Sequence, residues 1–297
     1  MAEHINRDKG RYVKIIEEKE YGVATGFRSL DKMLYGLHPG LHLIAARPSV
    51  GKTSLAMNAA VNIATAKKKV LFFSIEMNKP SFMERLVGMK LGISPRSIRD
   101  KSVSEDDKEN LSDADDLISG MDLYVDYASQ HSPASLRKEI CRLGEEENFV
   151  PDVVLVDYIQ YMKTDQGGMA NSHQNLSEIS RGLVQLTKDL NLPFVVIAQL
   201  NRGADEYASA GDKKNWTPKA PRLSDLKGSG SLEEDSDVVI LLHRTDYYKE
   251  REDKDFKPEE SDLANAMMIV AKNRQGPCGS FNLTWLPEIF KFTELSL

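Results

Sequence analysis

An α/β architecture on a mostly parallel sheet, with an antiparallel C-terminal edge, is predicted by three features of the sequence. Short continuous apolar runs recur along the chain, helical patterns fill most of the intervals, and a Gly-Lys-Thr turn stands between the first run and the first long helix. Continuous rather than alternating apolar runs mean strands covered on both faces, the condition of a parallel sheet with helices on either side. The runs are HLIAA (42–46), VLFFSIE (70–76), MDLYVDYA (121–128), DVVLVDYIQYM (152–162), PFVVIAQL (193–200), DVVILLHR (237–244) and AMMIVAKN (266–273).

Each element has its own local reason. Ser132 caps a helix that Pro133 begins, and Leu136, Ile140 and Leu143 form its apolar stripe. Leu176, Ile179, Leu183, Leu186 and Leu190 alternate by three and four, which at this length reads as a core-facing helix rather than a coiled coil. After Lys272 the pattern changes to NRQGPCG, SFNLTWLP and IFKFTE, a turn and an antiparallel finish. Two polar stretches, 163–175 and 201–236, are long enough to carry function, and 245–262 reads as a solvated insertion. Residues 8–20 form an amphipathic helical pattern with too little apolar surface to stand alone.

Composition narrows the function classes. With 39 basic and 45 acidic residues the net charge is −6, which argues against coating DNA by bulk charge while permitting a local basic channel. No apolar run approaches the roughly 18 residues of a membrane span, and the opening MAEHINRDKG lacks a signal-peptide core, so a soluble, cytoplasmic chain with no membrane partner is expected. Cys141 and Cys278 have no metal-ligand spacing and are read as small buried hydrophobes.

The most specific local signal is Ala46-Arg47-Pro48-Ser49-Val50-Gly51-Lys52-Thr53, followed by Ser54. It matches the phosphate-loop pattern GxxxxGK[ST], with Ala46 in place of the first glycine. Loop amides at a helix N-terminus surround a β-phosphate, Lys52 charges the β and γ oxygens, and the Thr53 hydroxyl suits Mg²⁺. The Ala46 departure requires that this position not need a positive φ. Three strand-end residues suit the same chemistry. Glu76 is placed as a general base for an attacking water, the alternative being a surface carboxylate. Asp157 is a carboxylate in a buried strand, costly unless it holds Mg²⁺ through water. Gln199 is a γ-phosphate sensor or a side chain that satisfies backbone groups.

At this point the chain resembles the ATPase domain of DnaB-type replicative helicases, hexameric rings with a RecA-like P-loop fold. The resemblance spans roughly residues 22–295 and rests on TGFRSLDKMLYGL, AARPSVGKTSLAMNAA, VLFFSIEM, VLVDYIQYM, IAQLNR, SDLKGSGSLEEDSDVVILLHR and AKNRQGPCGSFNLTW. Ala46 is acceptable in that family. The resemblance implies a motor domain over 22–297, an N-terminal extension or linker helix over 1–21, and 5′-to-3′ translocation on single-stranded DNA. It further implies ATP and Mg²⁺ as ligands, hydrolysis at the subunit interfaces of a homo-hexamer, and primase or a helicase loader as partners. Full bacterial members carry a further N-terminal helical domain, so the sequence reads as an excised motor or as a phage or mobile-element protein built without it.

Residue by residue, the resemblance assigns Lys272 and Arg274 to the pair inserted into the neighbouring subunit's site. From the residues alone, a plain surface turn with two exposed cations is the more ordinary reading. Residues 201–231 hold six basic and four acidic side chains, and Arg202 together with Lys227, Gly228, Ser229 and Gly230 matches the family's DNA-contacting loop. Gly228 replaces an acidic residue usual there. Lys163 to Asn175 would form the other central loop. Tyr207 and Trp216 are base-stacking or locally packed aromatics, His173 and His243 are ordinary polar residues, and Arg244 lies near nucleotide or elsewhere. Two further classes remain at this stage, a RecA- or RadA-type recombination ATPase and a nucleotide-dependent assembly module that hardly turns over.

Overall fold

The computed structural model describes residues 22–112, 118–170, 172–201, 219–226, 229–247 and 265–294. A short helix α1 (Arg28–Leu34) precedes β1 (Gly40–Ala46), which leads through the turn 47–51 into α2 (Lys52–Thr65). Then come β2 (Val70–Ser74), α3 (Lys79–Leu91), α4 (Pro95–Arg99), α5 (Glu105–Ser112) and β3 (Leu123–Asp126). They are followed by α6 (Pro133–Glu146), β4 (Val153–Asp157), α7 (His173–Leu190), β5 (Pro193–Gln199), α8 (Ser229–Asp235) and β6 (Val238–Arg244). The described chain closes with β7 (Ala266–Asn273), β8 (Gly279–Leu286) and β9 (Lys291–Glu294).

Among the described residues the strands form one sheet in the order β3-β2-β4-β5-β1-β6-β7-β8-β9. The first six in that order pair in parallel and the last three join antiparallel, as the sequence predicts. Strand periodicity splits the core in two. Leu41, Leu43 and Ala45 of β1 face α6 and α7, whereas Ile44 and Ala46 face α1 and α2. The all-apolar runs are therefore buried on both sides.

The helices form for the reasons visible in the sequence. Ser132 accepts from the Ser135 amide at 3.3 Å, and the Ser135 hydroxyl accepts from the Ser132 amide at 2.8 Å, a reciprocal cap on α6. Leu176, Ile179, Leu183 and Leu186 of α7 are buried against the sheet, with Leu190 partly so. Replacing one of these leucines by alanine costs about 2–5 kcal/mol.

Two expectations are corrected. Cys141 and Cys278 are both exposed. Cys141 follows Ile140 on α6 and points away from its buried stripe, and Cys278 lies in the turn between β7 and β8. The polar stretch 163–175 is also shorter as a loop than expected. Its first part closes as a turn, with Thr164 donating to the Gly168 carbonyl at 2.7 Å and Gly168 donating to the Thr164 hydroxyl at 2.9 Å. α7 starts already at His173, capped by Ser172, which accepts from the Asn175 amide at 3.1 Å. The 8–20 helical pattern, Tyr207, Trp216 and most of the 245–262 stretch lie outside the described residues.

Candidate nucleotide site

Parallel strands all end on one edge of the sheet, and that edge collects Ala46, Asp157 and Gln199 with the turn that carries Glu76. Ala46 is fully buried, ends β1 and has no positive φ, so its replacement of glycine is without strain. The left-handed positions fall later in the turn, at Ser49 (φ 65°) and Gly51 (φ 109°). Gly51 is needed twice over: its φ disfavours a side chain, and a Cβ there would lie 3.0 Å from the Phe292 ring. Gly51 then caps α2, leaving the first amides of that helix without intrahelical partners. Val50, Lys52, Thr53 and Ser54 are buried around this turn, as is Arg47, while Pro48 is partly covered and Ser49 exposed. Lys52 Nζ rests 5.1 Å from the centre of the Tyr158 ring. Burial is the main cause that holds the Tyr158 phenol above its ordinary range.

Asp157 is the electrostatic centre of the site. Its carboxylate is fully buried, and neither oxygen meets a donor in hydrogen-bond geometry. Burial pushes its pKa up to about 6; the nearby Thr53 hydroxyl pulls it back, Glu76 adds to the rise, and the Lys52 and Arg85 charges also oppose it. Thr53, Lys52, Glu76 and Arg85 therefore all influence this carboxylate.

Glu76 lies two residues beyond the strand end rather than on it. Ile75 donates to the Asp157 carbonyl at 2.9 Å, after which the Ser74 hydroxyl donates to the Met77 carbonyl at 3.0 Å and turns the chain. That turn leaves Glu76 exposed at the mouth of the site. Gln199 ends β5 in register with Ala46, and the following Leu200 amide donates to the Ala46 carbonyl at 3.1 Å. The strand-end glutamine is thus bonded through its neighbour to the first residue of the phosphate turn. Its own amide donates to Gln160 Oε1 at 3.3 Å.

Lys272 and Arg274 are not part of this edge. β7 runs antiparallel to β6, pairing Asn273 with Val238, so the pair lies level with the start of β1. The Arg274 amide donates to the Asp237 carbonyl at 2.9 Å, and the Asp237 amide donates to the Leu41 carbonyl at 2.8 Å. The seven residues of β1 separate them from the phosphate turn, a distance of roughly 20 Å.

A buried helix N-terminus with a lysine, a hydroxyl and an unpaired carboxylate is chemistry for a polyphosphate and a hard divalent cation. The family described as DnaB-like helicase C terminal domain matches residues 22–294. The chain belongs to this DnaB-like helicase family.

The replicative DNA helicase DnaC of Bacillus subtilis (strain 168) is 34% identical over 277 residues, covering 92% of this chain and 57% of that protein. The replicative DNA helicase DnaB of Geobacillus stearothermophilus is 32% identical over 277 residues, with the same two coverages. The chain thus spans a little over half the length of these relatives. Among solved structures, the ATPase domain of G40P is 30% identical, with a TM-score of 0.84 and full coverage of both chains. A DnaB-like replicative helicase, described with its interactions with primase, aligns at a TM-score of 0.80 and 30% identity, covering all of this chain and 68% of that one. The RecA-like fold expected from the motifs is the fold found.

For a DnaB-like domain the remaining assignments fall out as follows. Arg202, Lys227 and Gly228 lie outside the described residues. Ser229 and Gly230 open α8 rather than extending a loop, and Gly230 is exposed. α8 is fastened to α7 by the Ser177 and Ser231 hydroxyls at 2.8 Å and by the Ser180 hydroxyl donating to Asp235 at 2.7 Å. Arg244 is engaged internally, donating to Asp246 at 3.0 and 2.7 Å and lying 5.1 Å from the centre of the Trp285 ring. His243 is buried within β6, and no described group of His, Cys, Asp and Glu side chains is arranged as a metal cluster.

Sequence reasoning missed Arg85. It lies on α3 at the same helical spacing as the buried Phe82, Leu86 and Met89, 4.9 Å from the centre of the Phe290 ring. Burial lowers its pKa, against the raising influence of Asp157 and Glu76. An arginine on an apolar helical stripe was the available signal.

Proposed function

We propose that this chain is the motor of a DnaB-type replicative helicase. It hydrolyses ATP at the subunit interfaces of a homo-hexameric ring and uses it to translocate 5′ to 3′ on single-stranded DNA. Residues 22–297 are the motor in this reading, and residues 1–21 are an extension that docks on the adjacent subunit. The observation that carries it is the separation of the two halves of the site. Lys272 and Arg274 stand a full strand length from their own phosphate turn, so any role of theirs at a γ-phosphate belongs to another copy.

In this reading the amides of 47–53 and Lys52 bind the β and γ phosphates. The unpartnered Asp157 carboxylate and the Thr53 hydroxyl fit a magnesium ion, the former through water. Such an ion, when bound, neutralises charge on the phosphate oxygens. Glu76 polarises the attacking water, Arg85 holds the local field between Glu76 and Asp157, and Gln199 reports the γ-phosphate to the segment after β5. Arg274, with Lys272, stabilises charge developing on the neighbour's γ-phosphate, which makes turnover depend on assembly. Arg202 and residues 227–230 contact the phosphate backbone of DNA without reading bases. A primase or a loader is the partner expected of such a ring, in line with the primase interactions described for one structural neighbour.

Steady-state ATP hydrolysis with and without single-stranded DNA tests the reading. Strong stimulation is expected. Hydrolysis indifferent to DNA would remove the translocation step, and absence of hydrolysis in assembled rings would remove the motor.

A further inference from the structure

The end of the sheet opposite the phosphate turn is built with as much care as the site itself. The β6–β7 pairing slips between Val239 and Ile240, leaving Ala271 as an extra residue on β7. Simple alternation would aim Lys272 with Met268 and Val270 toward the α2 side of the sheet. The bulge turns it to the other side, where Nζ donates to the Glu233 carbonyl and, at 3.3 Å, to the Glu234 carbonyl. Those are carbonyls of the last turn of α8, which have no partners within the helix and favour a cation. Arg274 donates from Nη2 to the same Glu234 carbonyl and from Nη1 to Asp237 Oδ1 at 3.0 Å.

Asp237 is itself immobilised. Its amide donates to the Leu41 carbonyl at 2.8 Å, and its Oδ2 accepts from the Leu41 amide at 3.0 Å. The approach is possible because residue 40 is glycine: a Cβ there would lie 2.5 Å from Asp237 Oδ2, and its φ of 151° disfavours a side chain. One carboxylate oxygen is thus committed to β1 and the other to the arginine. The Arg274 side chain remains 49% exposed, and its remaining N–H groups are unengaged by Asp237 and Glu234.

We infer that Asp237 is the positioning residue of the trans-acting pair, fixing the Arg274 guanidinium by one edge so that its other edge is presented to the phosphate of the neighbouring subunit. This rests on the reading that Arg274 acts in trans. Asp237 acts through Arg274, with one oxygen on the guanidinium and the other on β1. A carboxylate clamped to β1 sets the guanidinium's position by rigid backbone, and displacement of such a group by about 1 Å is enough to cost up to about a hundredfold in rate.

The experiment uses assembled rings of the full chain. In Asp237→Asn, kcat for DNA-stimulated ATP hydrolysis is expected to fall by about tenfold to a hundredfold with KM for ATP little changed. Mixing then separates position from folding. Subunits carrying Asp237→Asn keep their own phosphate turn, and subunits carrying Lys52→Ala keep their finger, so mixed rings contain sites with both halves intact. Activity above that of either parent is the expected result. Arg274→Ala mixed with Lys52→Ala is the reference. If Arg274→Ala is rescued but Asp237→Asn is not, Asp237 is merely structural and the proposal is overturned. Wild-type kcat in Asp237→Asn alone overturns it as well. If Arg274→Ala itself is not rescued, the trans reading fails and this inference fails with it.

Discussion

The two ends of the central sheet handle their charged groups in opposite ways. At the carboxyl end of the parallel strands, Asp157 is buried with both oxygens unpartnered and Lys52 rests on the face of an aromatic ring. At the other end, Lys272 and Arg274 are met by helix carbonyls and by Asp237, which is held in turn by β1. An unpaired buried carboxylate costs stability, whereas a cation on a helix C-terminus contributes to it. One end leaves a buried carboxylate without a hydrogen-bond partner, and the other engages both of its cations. In the proposed function, the first end is the one that binds the ligand and the second is the one presented to a neighbour.

That contrast is most severely tested by Lys52→Ala. Loss of the phosphate-binding charge is expected to reduce turnover by about a thousandfold or more, and a folded variant with normal hydrolysis would remove the phosphate assignment. Arg274→Ala comes next. The isolated subunit should bind nucleotide with unchanged affinity in equilibrium titration, while the ring loses about a thousandfold in hydrolysis; equal losses in both measurements would place Arg274 in its own subunit's site. For Glu76→Gln, single-turnover assays should give a chemical step slower by about 10²–10⁴-fold with ATP still bound, and full activity would move the base elsewhere.

Asp157→Asn probes the cost of that unpartnered carboxylate directly. The folded-state pKa, about 6, lies above the unfolded value of 3.8, so the native state binds more protons between these values and stability falls as pH rises through that window. The penalty is complete above about pH 6, at roughly 1–3 kcal/mol. Denaturant unfolding at pH 7 in the absence of nucleotide should therefore show the asparagine variant as the more stable by about that amount; a less stable variant would mean that the carboxylate has partners in solution. The smallest effect is reserved for Lys227→Ala. Single-strand affinity should weaken and the slope of log K against log salt should flatten by about 0.7, with ATPase in the absence of DNA unaltered.

Much of this was readable in advance because it is local. The seven apolar runs, the Ser132-Pro133 helix start and the Gly-Lys-Thr turn depend on neighbours in sequence, and each appears where the pattern puts it. The antiparallel finish was legible from the turn residues after Lys272. What escaped depends on contacts between distant segments. Arg85 gains its place from the nearby Asp157 and Glu76 carboxylates, and Asp237 by meeting β1 and the turn after β7, and neither has a distinguishing sequence neighbour. The bulge at Ala271 is likewise invisible in AMMIVAKN, although it decides which side of the sheet Lys272 faces. Cys141 and Cys278 are exposed because position outweighs residue type, one lying off a helical stripe and the other in a turn.

The last strands bear on how the protein is made. Phe292 packs over Gly51, its amide donates to Asn58 on α2 at 2.6 Å, and its ring packs at a tilt against Trp285. The phosphate turn follows β1, yet one wall of it is supplied by β9. During synthesis the turn and α2 therefore emerge well before the strand that covers them, and this wall of the turn is absent until β9 has been made. A chain that stops before β9 thus carries the Gly-Lys-Thr motif in its sequence without the Phe292 wall that packs on it.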